Sequence, residues 1–121
     1  MHHLPVILLV GLAGAAGTLL RMGLTTLAVR LCGGDFPWGT FLVNLLGSFA
    51  FGLIFGVVRS RGLTPAQEVI LLVGLLGGFT TYSSFAFQSA EMLTQGRTAA
   101  AFAYIMVTNG AALAAVWAGL R

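Results

Sequence analysis

Read for apolar and polar positions, the chain divides into four long apolar stretches, roughly 4–31, 38–58, 66–93 and 98–120, with short polar turns between them. Crossing the hydrocarbon core of a bilayer takes about 20 apolar residues at ~1.5 Å rise each. All four stretches reach that length, so the pattern predicts an all-α membrane protein with four transmembrane helices in a single domain over 1–121. The turns carry their own chemistry: Gly33-Gly34-Asp35-Phe36-Pro37, then Arg59-Ser60-Arg61-Gly62-Leu63-Thr64-Pro65, then Thr94-Gln95-Gly96-Arg97. Thr64, with Pro65 after it, reads as a helix N-cap with proline at the first helical position. The start of the chain has a signal-like core from Pro5 to Gly17, with small residues from Ala13 onward. No Lys or Arg precedes it, however, and the apolar run continues to Leu20, which predicts a first membrane helix.

The third stretch breaks the pattern. Gly74-Leu75-Leu76-Gly77-Gly78-Phe79-Thr80-Thr81-Tyr82-Ser83-Ser84-Phe85 sets adjacent glycines, each costing about 1 kcal/mol in a helix interior relative to Ala, before a β-branched pair and five hydroxyl side chains in a row. Polar backbone freed by such a break is tolerated in a membrane only where protein buries it or a wet cavity meets it. The expectation is a third helix broken near Gly77–Thr81, with the break forming a site.

Composition agrees with the pattern. Hydrophobic residues make up 58% of the chain and charged ones 7%, against about a quarter charged in a soluble domain. The six basic residues are all Arg and lie scattered, so no basic patch points to nucleic acid. Cys32 is the single cysteine, which excludes an intrachain disulfide and reads as a buried free thiol. His2 and His3 make neither a purification tag nor a convincing metal site. Gly11, Gly14 and Gly17 share a face of the first helix, and Gly52 and Gly56 are four apart in the second; such spacing serves close helix packing in lipid. Trp38, Trp117 and Tyr104 are candidate interfacial anchors, with a place inside the bundle equally open to Tyr104. With four crossings, Arg59, Arg61 and Arg121 fall on one side and Arg30 and Arg97 on the other. This near-balance predicts insertion in both orientations and an antiparallel, two-fold symmetric dimer.

A few polar groups stand within the spans. Arg21 lies about 24 Å along the first helix by rise per residue. It is either a snorkelling side chain near the interface or a basic lure for anions at a vestibule. Asn44 offers donors and an acceptor, either to an ion path or to a neighbouring helix. Tyr104 and Thr108 share one face of the fourth helix with Ala112, Tyr82 and Phe85 share a face of the third, and so do Ser84 and Gln88. Thr108 could also bond back to its own helix. The acidic residues Asp35, Glu68 and Glu91 lie at or near turns, which argues against proton-coupled cation export. No nucleophile–base pair, HExxH, CxxC or P-loop is present, so nothing supports an enzyme.

Several ordered motifs resemble the Fluc/CrcB fluoride channels over essentially the whole chain. They are Gly14-Ala15-Ala16-Gly17-x-x-x-Arg21, Gly39-Thr40-x-x-Val43-Asn44-x-x-Gly47, Gly77-Gly78-Phe79-Thr80-Thr81-Tyr82-Ser83-Ser84-Phe85, and Tyr104. The resemblance implies a passive fluoride-selective channel of the cell membrane that exports fluoride, built as a dual-topology homodimer with two pores and a central structural Na⁺. It puts the Na⁺ ligands on the backbone carbonyls of Gly77 and Thr80, the aromatic pair on Tyr82 and Phe85, and the pore amide on Asn44. The pore hydroxyls fall on Ser83, Ser84, Tyr104 and Thr108, and the basic residue of the first helix on Arg21. The chain departs from the family at Tyr82, where Phe is usual, at Gln88, where Glu is frequent, and at Ala86 and Ala112, where hydroxyls are common. Two other readings remain open: a small dual-topology multidrug exporter, which would need a membrane Glu where the first helix carries Arg21, and a non-transporting membrane assembly subunit.

Overall fold

The computed structural model describes residues 3–121, so His2 lies outside the described residues. Four apolar crossings follow in order: α1 (Leu4–Cys32), α2 (Trp38–Arg61), a composite third crossing over Pro65–Thr94, and a last helix over Thr98–Gly119. The third consists of α3 (Pro65–Glu68), a π-helical segment (Val69–Leu76), α4 (Gly77–Phe79), two extended residues and α5 (Tyr82–Thr94); the last helix is α6. Thr64 starts the third crossing with a closed capping box. Its Oγ1 accepts from the Gln67 N–H at 3.3 Å, and its own N–H donates to Gln67 Oε1 at 3.0 Å. Each connection contains a glycine of positive φ, Gly33 at 81°, Gly62 at 70° and Gly96 at 73°, the left-handed conformation that side chains resist.

Helix packing rests on backbone approach. α1 runs parallel to the first half of the third crossing: a Cβ on Gly17 would fall on the Leu75 carbonyl and the Phe79 N–H, and one on Gly78 would fall on the Gly14 backbone. In lipid, helices associate through such packing rather than the hydrophobic effect. Gly77 and Gly78 are therefore helical, and the break comes after them, at Thr80 and Thr81. The intrinsic cost of helical glycine is outweighed where hydrocarbon demands a paired backbone and a neighbouring helix demands room. Ahead of the glycines, the π-helical turns carry the backbone bonds one residue further than usual, as in Gly77 N–H to Leu72 O. Nothing in the apolar run from Val69 to Leu76 signals this.

α2 and α6 also lie parallel. A Cβ on Gly52 would meet the Val116 backbone, one on Gly56 would come within 3.5 Å of Leu120 O, and one on Gly119 would meet Phe49 and Leu53. This register sets Asn44 level with Thr108 and Ser48 level with Ala112. α5 closes on α6 through a core of Phe85, Met92, Ala101 and Tyr104, with Phe36, Phe41 and Ile105 packed around it. Tyr104 is thus a fully buried core residue and no interfacial anchor. Trp117 does stand at the surface, with the Arg121 guanidinium 4.4 Å from its ring centroid. Cys32 is exposed rather than buried, because it ends α1 beyond the bundle contacts.

Candidate functional site: a polar break beside a membrane cavity

Thr80 (φ −78°, ψ 159°) and Thr81 (φ −149°, ψ 105°) are extended, and neighbouring groups satisfy the backbone of these two residues. The Thr80 N–H and Oγ1 both donate to Leu76 O at 2.9 Å. Asn44 on α2 grips Thr81 twice, its Nδ2 donating to Thr81 O at 3.0 Å and its Oδ1 accepting from the Thr81 N–H at 2.8 Å. Arg21 on α1 donates from Nη1 to Thr80 O at 3.2 Å. Thr81 then caps α5: its Oγ1 accepts from the Ser84 N–H at 3.2 Å, donates to Ser84 Oγ at 2.9 Å, and lies 3.5 Å from Ser83 Oγ. Several groups are left over among the described residues, including the Phe79 carbonyl and the N–H groups of Tyr82 and Ser83. In an unbroken helix the Thr81 N–H would serve the Gly77 carbonyl; it goes to Asn44 instead, and the Gly77 carbonyl has no hydrogen-bond partner among the described residues.

Beside the break, between α2, the third crossing and α6, opens a cavity of about 420 Å³. It brings together Asn44, Gly77, Thr80, Tyr82, Phe85 and Thr108 of the residues expected from sequence, and adds Ser48 and Asn109. Thr108 is buried, and among the described residues its Oγ1 is the buried side-chain polar atom without a hydrogen-bond partner. It does not bond back to its own helix, so its hydroxyl is free toward the cavity. Ser83, Ser84, Tyr104 and Arg21 do not line this space.

Three aromatic rings lead away from it. Tyr82, 78% exposed, sits 5.6 Å from the buried Phe85 by ring centroids, and Phe85 sits 5.2 Å from Tyr104. The Tyr104 hydroxyl donates to Gln88 Oε1 at 3.0 Å. Gln88 in turn lines a second cavity of about 320 Å³ near the first and third turns, with Thr25, Thr40, Asp35, Glu91 and Arg97. The Arg97 guanidinium there donates to the Asp35 backbone carbonyl at 2.9 Å. Tyr104 thus links Phe85, on the wall of the first cavity, to Gln88, on the wall of the second.

Sequence reasoning passed over Thr81, Ser48 and Asn109. Ser48 was findable, since it follows Asn44 by four on the same helical face. Thr81, three residues ahead of Ser84, had the spacing of an N-cap. Asn109 offered only its polarity within an apolar span. Among the described residues no three His, Cys, Asp or Glu side chains gather in one place.

Residues 8–120 match the family described as CrcB-like protein, Camphor Resistance (CrcB). The chain belongs to this family. It is 45% identical over 115 residues to the fluoride-specific ion channel FluC of Nitratidesulfovibrio vulgaris (strain DSM 19637 / Miyazaki F), covering 94% of this chain and 93% of that relative. To the protein of the same name from Rhizobium meliloti (strain 1021) it is 40% identical over 121 residues, covering 99% and 94%. A third FluC, from Solidesulfovibrio magneticus (strain ATCC 700980 / DSM 13731 / RS-1), is 43% identical over 112 residues, covering 92% and 90%. These relatives are named as channels, transporters without an enzymatic reaction. Four helices of spanning length and membership of this family make the chain a multi-pass membrane protein.

Proposed function

We propose that the chain is a passive fluoride-selective channel that exports fluoride and lowers its cytoplasmic concentration. The observation that carries this reading is the cavity in which the free Thr108 hydroxyl faces Asn44 and the Tyr82–Phe85 pair. Fluoride is small and strongly hydrated, so a pore must replace its water with donors and positive partial charge. Thr108 Oγ1–H and the second Nδ2–H of Asn44, which the Thr81 bond leaves free, are donors; ring edges carry the positive end of the aromatic quadrupole. Ser83, Ser84 and Tyr104 are proposed to continue the hydroxyl line, and Arg21 to attract anions toward the vestibule while it braces Thr80. No single strong countercharge holds the ion, which lets it leave as well as enter.

In the same reading the channel is an antiparallel homodimer in the cell membrane, with two pores. The balanced placement of Arg59, Arg61 and Arg121 against Arg30 and Arg97 supports insertion in both orientations. A cavity bounded by so thin a bundle also calls for a second copy to shield its polar wall. A structural Na⁺ between the copies fits the donor chemistry at Gly77, whose carbonyl is unpaired; at Thr80 it would share the carbonyl with Arg21. Gly77 and Thr80 of each copy would hold the ion, which when bound supplies positive charge joining the two breaks.

Fluoride and chloride efflux from proteoliposomes tests the reading, with fluoride-only flux expected and an inactive chain overturning it. Flux that requires a proton gradient would instead favour a coupled exporter. Labelling of a C-terminal tag from each side of the membrane tests the dimer: one orientation in every molecule would refute dual topology. Dimer stability measured with and without Na⁺ tests the ion.

A further inference from the structure

Asn109 is an amide on a membrane-spanning helix, and the channel reading as it stands gives it no role. We infer that Asn109 is an additional ion-coordinating residue, adding a donor to the anion path beside Thr108. The inference rests on the channel reading above and concerns the α6 wall of the cavity.

Three observations support it. The register of α2 and α6 pairs Asn44 with Thr108 at one level and Ser48 with Ala112 at the next, so the polar wall on the α6 side stops after Thr108. Asn109 lines the same cavity and lies three residues before Ala112, on a neighbouring part of the same helical face. Its Nδ2 donates to Ile105 O at 2.7 Å, which fixes the orientation of the amide and leaves one N–H uncommitted. An amide in hydrocarbon with an unpaired N–H is costly. Opening on the cavity offers that N–H to an anion held near Thr108. Ser48, one turn further along on the α2 side, adds a hydroxyl. The path then has donors from both helices despite Ala112.

The test is fluoride efflux from proteoliposomes carrying the full-length protein, Asn109→Leu, Ala112→Ser and the Asn109→Leu/Ala112→Ser double variant. Asn109→Leu is expected to lower the fluoride rate about tenfold, the factor set by one hydrogen bond to an ion, with chloride still excluded. Ala112→Ser in that background is expected to restore the rate to within about threefold of the parent, since it returns a donor to the same cavity wall. Restoration by a residue one turn along is what a merely structural role for Asn109 would not produce. Gel-filtration elution and thermal unfolding of the variants are read alongside. Full fluoride flux in Asn109→Leu overturns the inference. So does a loss that Ala112→Ser fails to restore, or a variant that no longer elutes as the parent assembly, because a role in assembly then accounts for the amide. A parent chain that passes no fluoride refutes the channel reading itself; a conducting parent with an unaffected Asn109→Leu refutes this inference alone.

Discussion

Replacing Asn44 by Ala should unfold the break before it alters any ion path. The side chain makes two hydrogen bonds, at 3.0 and 2.8 Å, to the two backbone groups of Thr81, a residue that is 7% exposed. Alanine can offer neither, so a buried N–H loses its partner and the C=O keeps only the first helical bond of α5. Leaving one buried polar group unsatisfied costs about 1–3 kcal/mol, while hydrogen bonds measured within membrane bundles average about 0.6 and reach about 1.7 kcal/mol. Between those bounds, two bonds come to about 2–4 kcal/mol. Asn44→Asp still accepts from the Thr81 N–H and, when ionised, cannot donate to Thr81 O, so about half of that loss is expected from it. Reversible unfolding in mixed micelles measures both variants, and fluoride efflux is followed on the same preparations. If Asn44→Ala loses its flux with less than about 0.5 kcal/mol of destabilisation, the break holds itself and the bracing argument fails.

Other substitutions separate packing from conduction. Gly78→Ala places a Cβ on the Gly14 backbone, which cannot rotate away, so a loss of about 3 kcal/mol or failure to assemble is expected; Gly11→Ala, with nothing within 4 Å, should be neutral or gain up to about 1 kcal/mol by the same unfolding assay. Thr108→Val keeps the shape and removes a buried hydroxyl that has no partner, so stability should hold or rise by about 1 kcal/mol while fluoride efflux falls. Tyr82→Phe removes a hydroxyl with no hydrogen-bond partner among the described residues, from a ring that is 78% exposed; unfolding should shift by less than about 0.5 kcal/mol, and efflux should persist.

The four crossings were legible because hydrocarbon imposes a length and a composition that few other folds need. The break was legible too, but for a reason that proved half right. Gly77 and Gly78 suggested it through their helix cost, whereas they remain helical and serve the approach to Gly14 and Gly17. The interruption belongs to Thr80 and Thr81, whose backbone is rewarded by Asn44 and Arg21, two residues remote in sequence. Such a reward is tertiary, and no local pattern reports it. The π-helical turns were invisible as well, since the residues from Val69 to Leu76 read as ordinary apolar helix; within them Gly74 seats against Val10 and Ala13. Tyr104 offered two readings from sequence, and burial against Phe85 and Phe36 chose between them.

The hydrogen bonds sort the candidate residues in a way that residue type alone does not. Asn44, Arg21, Thr80, Thr81 and Ser84 all spend bonds on or beside the break, Asn44 and Arg21 on its backbone, and so act first as its frame. Thr108, the second N–H of Asn44 and the edges of Tyr82 and Phe85 remain uncommitted beside the cavity. A group already satisfied within the protein gains little by turning to an ion, since it must give up one bond to make another, whereas a free buried donor recovers its own desolvation cost when an anion arrives. In the proposed channel the hydroxyl-rich run from Thr80 to Ser84 is therefore first the frame of the site, and the groups with most to gain from an anion come from Asn44, the aromatic rings and α6. A polar run in a membrane helix marks where a site is held together, and its unspent donors mark where a ligand can bind.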